Sequence, residues 1–492
     1  MKVVYVIYSV SLALLFFAQL MLGADIPVLF SLVIVAACAL IPLQMRGWRI
    51  SDGLYAVMCV YFGTASLIVK TAAMQPVQSN LRMPELSAGL LLAGFASISI
   101  GYLGSHLVRQ PWRIEHDLHG ITAAPVNLAR LALPTFTLGA VLYFLQTQMR
   151  PLASNGGFET SGFGGFGAFY PLLLLGAAMQ TALIASHPGQ LGHKARLGLM
   201  TIVIVALTLA DNTKRTLFDF VMVVGVTFLA FGVRPRLRWI VPPAAAALIA
   251  IVYVVPAIHI VRMQPDVRSI SRIAATFEVI RNAGFDPVEL SQRADAIAAG
   301  YHLTYRDSYV YPLTWNTERF TMIQPIDQVA RKLEERGTMG GADLWRDAAE
   351  TLLPSFLLTK TLATAPDRIA WHYGFRAHGS IARPVVGLIA SSLAAFGLAG
   401  VLLLPGLTVA FTFIMLDGIG GRMVSNCWAS FVFASTTFLA EREVSTMLSF
   451  FCRGYLFLLI VAGALLLLGY RRVPRASAPS SAPRLATNAS AE

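Results

Sequence analysis

Apolar runs long enough to cross a lipid bilayer recur along almost the whole chain. The first follows a single Lys2 and is longer than the core of a signal peptide, so it predicts an uncleaved membrane span. A mean hydropathy of +0.64 and a charged fraction of only 13% are far from the balance of a soluble domain. The sequence therefore predicts an all-α, polytopic integral membrane protein.

A spanning helix needs about 20 apolar residues, which gives about twelve transmembrane helices. We predict them near residues 3–23, 27–45, 52–70, 87–108, 127–146, 167–186, 197–212, 216–233, 239–261, 398–416, 424–440 and 454–470. The stretch 384–397 is short and interrupted by glycine, and lipid cannot accept broken backbone. We therefore expect a re-entrant half-helix there, buried against protein.

These spans divide the chain into four regions. Residues 1–261 hold the first nine helices, and 262–383 form one large polar loop. Residues 384–472 contain the re-entrant segment and the last helices, and the Pro-, Ala- and Ser-rich tail 473–492 is expected to be disordered.

Positive charge is concentrated in alternate loops, which predicts the orientation. The richer set contains Arg46, Arg49, Arg109, Arg113, Lys194, Arg196, Arg234, Arg236, Arg238, Arg422, Arg471 and Arg472. Loops rich in Lys and Arg face the cytoplasm, so both termini should be cytoplasmic and the large loop periplasmic. The net charge of +12 is explained by these short loops, and no basic folded module indicates a nucleic-acid partner.

The large loop is rich in the side chains that recognise sugars and phosphates. It contains Arg268, Arg272, Arg281, Arg306, Arg319, Arg368 and Arg376, with Tyr301, Tyr305, Tyr309, Tyr311, Trp315, Trp345 and Trp371 between them. An enzyme that holds a polar head group just above the lipid needs such an insertion, whereas a simple solute carrier does not. The basic series from Arg262 could equally lie on anionic head groups, and the aromatic residues could form an interfacial belt.

Two short segments stand out as candidate sites. Lys214 and Arg215 lie in a tight turn on the side where basic residues are otherwise sparse. They either anchor a helix end at the membrane surface or bind an anion such as a diphosphate, whose oxygens suit the planar fork of arginine. In the second segment, His378 follows Arg376 and precedes Arg383, and it could take a proton from a sugar hydroxyl or be merely solvated.

Several chemistries have no support in the sequence. There is no D-x-D, H-E-x-x-H or P-loop motif, so we predict neither a metal nor a cofactor. The cysteines lack the spacing of a metal site and are expected to pack in the core. Spacing does not choose among the acidic candidates for a base, which are Glu278, Asp286, Glu318 and Asp367.

Three stretches resemble the bacterial oligosaccharide repeat-unit polymerases, the O-antigen polymerases of the Wzy type, and more distantly the O-antigen ligases. They are TKRTLFDF (213–220), the segment Leu352-Leu353-Pro354-Ser355 with Lys360, and RAHGSIARPVVGLIASSLAAFGLAG (376–400). The resemblance implies metal-independent glycosyl transfer at the periplasmic face of the bacterial inner membrane. The expected donor is a glycan on undecaprenyl diphosphate, and a chain-length regulator is a further expected partner.

With this resemblance the candidate residues receive roles. Arg215 and Arg376 would stabilise the departing diphosphate, and His378 would orient or deprotonate the attacking hydroxyl. The residues expected to help bind the substrate are Lys214, Arg262, Arg319 and Arg383. The alternatives are an O-antigen ligase, which differs only in the acceptor, a transporter or flippase of lipid-linked oligosaccharide, and a structural subunit of an envelope complex.

Overall fold

A computed structural model of the chain describes most of its residues. They are 2–44, 48–108, 114, 118, 121–122, 124–149, 169–211, 215–233, 249–262, 269–302, 309–310, 320–352, 363–376, 378–379 and 384–468. Within these residues the regular structure is entirely helical, which confirms the predicted all-α class. An isolated bridge pairs Arg49 with Arg422, two residues of loops that the charge distribution assigns to the same side.

The described residues of the first part of the chain, up to residue 233, contain ten α-helices. They are α1 (Lys2–Met21), α2 (Ile26–Ala37), α3 (Leu40–Gln44), α4 (Ile50–Cys59), α5 (Ala65–Ala72), α6 (Pro84–Leu107), α7 (Pro125–Met149), α8 (Tyr170–Ser186), α9 (Leu191–Asp211) and α10 (Arg215–Ala230). A π-helical turn, Val60–Thr64, joins α4 to α5, so these two form one continuous helical rod.

The second part contains the helices of the polar loop and those that follow it. They are α11 (Val255–Arg262), α12 (Ser269–Asn282), α13 (Pro287–His302), α14 (Ile323–Arg336), α15 (Ala342–Leu352), α16 (Ala365–His372), α17 (Gly387–Gly420), α18 (Cys427–Thr436), α19 (Val444–Phe450) and α20 (Leu456–Leu468). A 3-10 turn, Thr437–Glu441, extends α18, and a π-helical turn, Phe451–Tyr455, joins α19 to α20.

Eight helical segments in the described part of the chain are long and apolar enough to cross a membrane. They are Val4–Met21, Ile26–Gln44, Ile50–Ala72, Pro84–Leu107, Pro125–Gln148, Leu191–Asp211, Gly387–Gly420 and Val444–Leu468. A multi-pass membrane protein is therefore confirmed, whereas the count of about twelve stays a prediction. The last span was placed wrongly, because it begins at Val444 and not near 454.

Part of the predicted polar loop is packed inside the bundle. The first half of α14, residues 323–330, is buried, and the carboxylate of Asp327 accepts hydrogen bonds from the backbone N–H groups of Arg82 and Met83. It also accepts one from the hydroxyl of Ser87, at 3.0 Å. These N–H groups lie at the start of α6, where a helix has no partners of its own for them. A residue more than two hundred positions away thus caps a membrane helix.

The helix α17 is broken at Phe396-Gly397, the end of the stretch 384–397 for which a half-helix is predicted. Gly397 has a φ of +62°, a conformation that favours glycine, and the two residues separate helical stretches on either side. The backbone N–H groups of Met339 and Gly340 donate to the carbonyls of Ala394 and Ala395, at 2.8 and 3.1 Å. The end of the first stretch is therefore capped by the polar loop, while its re-entry into the membrane stays a prediction.

Contacts along α6 define two ends of the bundle. Near the start of α6, Ser87 contacts Asp327, and near its end the hydroxyl of Tyr102 donates to Asp52 at 2.7 Å. The helix α6 has 24 residues and rises about 1.5 Å per residue, so these two contacts lie at opposite ends of a membrane-length helix. We call the second of them the Asp52 end.

The helix α10 runs from the opposite end towards the Asp52 end. Its last residue, Ala230, accepts a hydrogen bond from the N–H of Ser425, and the nearby Met423 N–H donates to the carbonyl of Trp48. Trp48 directly precedes α4, which carries Asp52. Arg215, the first residue of α10, is therefore far from Asp52, and we call its side of the bundle the Arg215 end.

Candidate functional site

Arg215 begins α10 and is held by a carboxylate one helical turn along the same helix. Its Nε donates to Oδ2 of Asp219 at 3.2 Å. The side chain of Arg215 is 49% exposed, whereas that of Asp219 is only 4% exposed. A cation is disfavoured at a helix N-terminus by the macrodipole, and the buried carboxylate offsets this cost. The bond uses Nε alone, so the two terminal nitrogens of the guanidinium fork are not engaged by Asp219.

Two tyrosines from neighbouring helices donate hydrogen bonds to the carboxylates on either side of Arg215. The hydroxyl of Tyr143 in α7 donates to Asp211, the last residue of α9, and that of Tyr170 in α8 donates to Asp219 at 3.1 Å. The two rings lie side by side, with centroids 5.1 Å apart. Asp211 and Asp219 therefore each accept from a tyrosine of another helix, and of the two tyrosines Tyr143 is buried and Tyr170 half-buried.

Close packing of α7 against α8 explains why the tyrosines meet. A Cβ at Gly139 would overlap the backbone N of Leu173, and one at Gly176 would meet the backbone of Phe136. Glycine at these two positions lets the helix backbones approach each other. The two glycines therefore let the tyrosines of α7 and α8 come close together, although neither glycine belongs to a polar motif.

A second arginine faces the same aromatic ring as Arg215. The Cζ of Arg215 lies 4.4 Å from the ring centroid of Phe438, and the Cζ of Arg442 lies 5.9 Å from it. Both distances are within the range of a cation–π contact. Arg442 also pairs with the carboxylate of Glu441 at 3.6 Å. We call Arg215, Asp219, Phe438, Glu441 and Arg442 the Arg215 cluster.

Sequence reasoning missed Glu441 and Arg442. The 3-10 turn after α18 ends at Glu441 and α19 begins at Val444, so the charged residues occupy a short break between two apolar helices. The lengths of the apolar runs predict spans near 424–440 and 454–470, so residues 441–453 are predicted to be a loop. A usable signal was present, because Glu441-Arg442-Glu443 lies between apolar runs without the Gly, Pro or Asn of an ordinary turn.

The cluster presents its cations more than its anions. Two guanidinium groups and two carboxylates give formal charges that cancel. The side chains of Asp219 and Glu441 are nevertheless 4% and 11% exposed, against 49% for Arg215 and 21% for Arg442. Among the described residues the Nε of Arg442 is buried without a hydrogen-bond partner. An anion that approached the exposed side would meet guanidinium nitrogens before carboxylate oxygens.

The break that carries Arg442 is fixed to the polar loop. The backbone carbonyl of Glu443 accepts the N–H of Met447, so Glu443 caps α19. The hydroxyl of Ser445 in the same helix lies 3.4 Å from a carboxylate oxygen of Asp347 in α15. That carboxylate in turn accepts from Arg368 of α16 at 2.8 Å. The polar loop therefore holds the helix start that follows the Arg215 cluster.

The other predicted pair, Arg376 and His378, lies just after α16. Arg376 follows this helix and is half-buried, and its N–H donates to Ala370 at 3.3 Å. His378 is exposed, with its ring centroid 5.0 Å from that of Trp371. Burial raises the pKa of the neighbouring Tyr373 to about 12, so its phenol stays protonated and donates to the carbonyl of Gly337. The partners in these contacts, which are Ala370, Trp371 and Gly337, do not belong to the Arg215 cluster.

The remaining predicted binding residues fall mostly outside the described residues. This is the case for Lys214, Arg319 and Arg383. Arg262 is the last residue of α11, but its side chain is likewise not among those described. Their roles stay predictions.

Two of the four acidic candidates for a base have capping roles instead. Asp367 accepts from the N–H and hydroxyl of Thr364 at 3.1 and 2.8 Å, at the start of α16. Asp286 accepts from the N–H of Val288 at the start of α13. Glu278 is exposed on α12, and Glu318 is outside the described residues. Helix capping therefore accounts for Asp286 and Asp367.

The described residues contain no group of three or more His, Cys, Asp or Glu that could hold a metal ion. The chemistry that the Arg215 cluster offers is recognition of an anion by cations that Asp219, Glu441 and Phe438 hold in place. Comparisons of the chain with protein-family models, with curated proteins and with solved structures found no match.

Proposed function

We propose that the protein is a membrane glycosyltransferase that joins oligosaccharide repeat units carried on undecaprenyl diphosphate, at the periplasmic face of the membrane. The observation that carries this proposal is the pair of guanidinium groups on Phe438, one of them half exposed, in a bundle of membrane-length helices. A lipid diphosphate is the anion that such a place suits, because its tail can stay in the bilayer. The motif resemblance supplies the sugar chemistry.

The proposed reaction displaces a diphosphate from a sugar. A hydroxyl of the acceptor glycan attacks the anomeric carbon of the donor, a new C–O bond forms, and the bond to the diphosphate oxygen breaks. The electron pair of the broken bond goes to that oxygen, and the hydroxyl proton goes to a base. Arg215 and Arg442 stabilise the developing negative charge, as preorganised donors do at an oxyanion.

The roles of Arg376 and His378 stay part of the proposal. His378 has the exposed position that an acceptor glycan could reach, and Arg376 lies two residues before it. We propose that this group acts on the acceptor and that Arg442 takes the second place at the diphosphate which sequence reasoning gave to Arg376.

The position of the helix breaks favours an enzyme over a transporter built from repeats. In such transporters the broken helices occur at corresponding positions in two halves of the chain. Among the described residues, the break in α17 at Phe396-Gly397 and the break at Arg442-Glu443 both lie in the last quarter of the chain. A ligase has the same donor chemistry, so it is separated by its acceptor only.

The test is chain extension by purified protein in liposomes that contain lipid-linked repeat units. We expect Arg215→Ala to lower the rate by a factor of about 10²–10³, the loss typical of one oxyanion-type donor. The matched control is Arg293→Ala, because Arg293 also pairs with a carboxylate one helical turn away but is 46% exposed beside an equally exposed Glu289. The control should extend chains at the normal rate.

Normal polymer length from Arg215→Ala would refute the assignment of Arg215. In cells, loss of the protein should leave single repeat units on the lipid. Accumulation of long lipid-linked polymer instead would identify a ligase and contradict the polymerase proposal.

A further inference from the structure

Asp219 is buried, and in the described structure two side chains donate hydrogen bonds to its carboxylate. Oδ2 accepts from Arg215 Nε at 3.2 Å and from the hydroxyl of Tyr170 at 3.1 Å. Tyr170 lies on α8, so the carboxylate is held from a second helix and not only from its own. Because Tyr170 and Arg215 bond to the same oxygen, Tyr170 restrains the carboxylate that holds Arg215.

This arrangement differs from an ordinary ion pair within a helix. Arg293 and Glu289 are also four residues apart, but their side chains are 46% and 45% exposed. Exposed pairs of this kind sample many geometries and contribute little. Asp219 is 4% exposed and has few alternative positions, so the guanidinium plane that it contacts has few as well.

The choice of nitrogen determines what the arginine can do. A bond at Nε lies on one edge of the guanidinium group, and the two terminal nitrogens form the fork that pairs with two phosphate oxygens at once. The contact of Cζ with the face of Phe438 restrains the same plane from another direction, at 4.4 Å. An edge bond and a face contact together set the direction of the fork.

We propose that Asp219, itself held by Tyr170, is a positioning residue that orients the fork of Arg215 towards the diphosphate. The inference rests on the proposed function for the identity of the ligand. It adds that the affinity of Arg215 for an anion depends on a neutral tyrosine and a carboxylate that do not touch the ligand.

A purely structural role for Tyr170 and Asp219 is the competing explanation. The chain offers an internal control, because Tyr143 and Asp211 form a second buried pair at the same turn. Tyr143 also lies 3.0 Å from the hydroxyl of Thr216. In the described structure the side chain of Arg215 contacts Asp219 and Phe438, and neither Tyr143 nor Asp211 bonds to it. A structural role predicts equal consequences for the two pairs.

The experiment compares Asp219→Asn and Tyr170→Phe with Tyr143→Phe in the full-length protein in detergent and in liposomes. We expect Asp219→Asn to lower kcat for chain extension by roughly 10- to 100-fold, because small misplacement of a catalytic group has effects of this size. Tyr170→Phe should lower it about fivefold, the effect of one lost neutral hydrogen bond. Tyr143→Phe should shift the thermal unfolding midpoint as much as Tyr170→Phe does but leave kcat unchanged.

A double-mutant comparison provides the decisive readout. Once Arg215 is alanine, Asp219→Asn should cause no further loss of rate, since it acts through Arg215. A further loss of tenfold or more in that background, or equal loss of kcat in Tyr143→Phe and Tyr170→Phe, would overturn the inference.

Binding separates failure of this inference from failure of the proposed function. The probes are inorganic pyrophosphate and undecaprenyl diphosphate, titrated into the wild type and Asp219→Asn. Weaker binding of either probe by Asp219→Asn supports the positioning role even if the wild type extends no chains, an outcome that would refute only the polymerase. Unchanged binding of both probes by Asp219→Asn would refute the positioning role while leaving the polymerase to its own test.

Discussion

The two ends of the bundle use the same kinds of charged group with different degrees of exposure. At the Asp52 end, Asp52 accepts from the hydroxyl of Tyr102 and from the N–H of Arg49, and Asp417 accepts from the N–H and hydroxyl of Ser51. Arg49 also pairs with Asp417 at 3.9 Å, and its side chain is 31% exposed. At the Arg215 end, the carboxylates are also buried, but Arg215 is 49% exposed and shares the ring of Phe438 with Arg442. The difference lies in the greater exposure of Arg215 and in the second arginine beside it.

This difference separates a structural use of charge from a functional one. At the Asp52 end the buried carboxylates bond to backbone N–H groups and hydroxyls, so that network joins helix ends. Where a buried carboxylate fixes one edge of an exposed arginine, the rest of the guanidinium group is available to an anion. Buried polar groups within a membrane protein are costly, so we expect each such network either to stabilise the fold or to hold a binding group.

The largest expected effect tests the structural end. Asp52→Ala leaves the Tyr102 hydroxyl and the Arg49 N–H without their acceptor and removes the partner of His106, which is 3.2 Å from Asp52. A buried donor left without its acceptor costs about 1–3 kcal/mol, and two such donors are affected here, so we expect a clearly lower thermal unfolding midpoint in detergent.

Asp52→Asn is the control for this change. The amide can still accept from Tyr102, so its loss of stability should be clearly smaller than that of Asp52→Ala. Arg215→Ala should lose less stability than Asp52→Ala, because Arg215 is half exposed and the Asp219 carboxylate that it leaves keeps the Tyr170 hydroxyl as a donor. If Arg215→Ala were as unstable as Asp52→Ala, the distinction between the two ends would be wrong.

A smaller effect tests the scaffold that keeps the ends apart. A Cβ at Gly101 in α6 would overlap the carbonyl oxygen of Gly406 in α17, whereas a Cβ at Gly104 would meet nothing within 4 Å. We expect Gly101→Ala to cost about 1–3 kcal/mol by overpacking. Gly104→Ala should be neutral or stabilising by up to about 1 kcal/mol, since alanine favours a helix. Equal unfolding midpoints for the two variants would contradict this close contact.

Much of the helical scaffold could be predicted from the sequence because its cause is local. Apolar length alone located α1, α6 and α7, and a glycine in an apolar run located the break at Phe396-Gly397. Arg215 was found because its charge is unusual for its place in the chain. Each of these features can be recognised within one stretch of residues.

The rest of the site depends on contacts between distant segments. Arg442 is more than two hundred residues from Arg215, and only the packing of α10 against α18 brings both to Phe438. Asp327, which caps α6, has no local feature that indicates this role. Spacing could therefore suggest one arginine of the cluster but not its neighbours.

The smallest expected effect tests whether the shared ring matters to the functional end. Phe438→Leu keeps an apolar side chain but removes the contacts of both arginines with the ring, and each cation–π contact at a partly exposed site is worth about 0.5–1 kcal/mol. We expect binding of inorganic pyrophosphate to weaken by a factor of about two to five, since 1.4 kcal/mol corresponds to tenfold. The matched control is Phe450→Leu, because Phe450 packs against Phe438 edge to face at 6.0 Å and has no contact with either arginine in the described structure. Equal weakening in both variants would mean that the ring acts only through packing, and the two arginines would then have to be treated as independent cations.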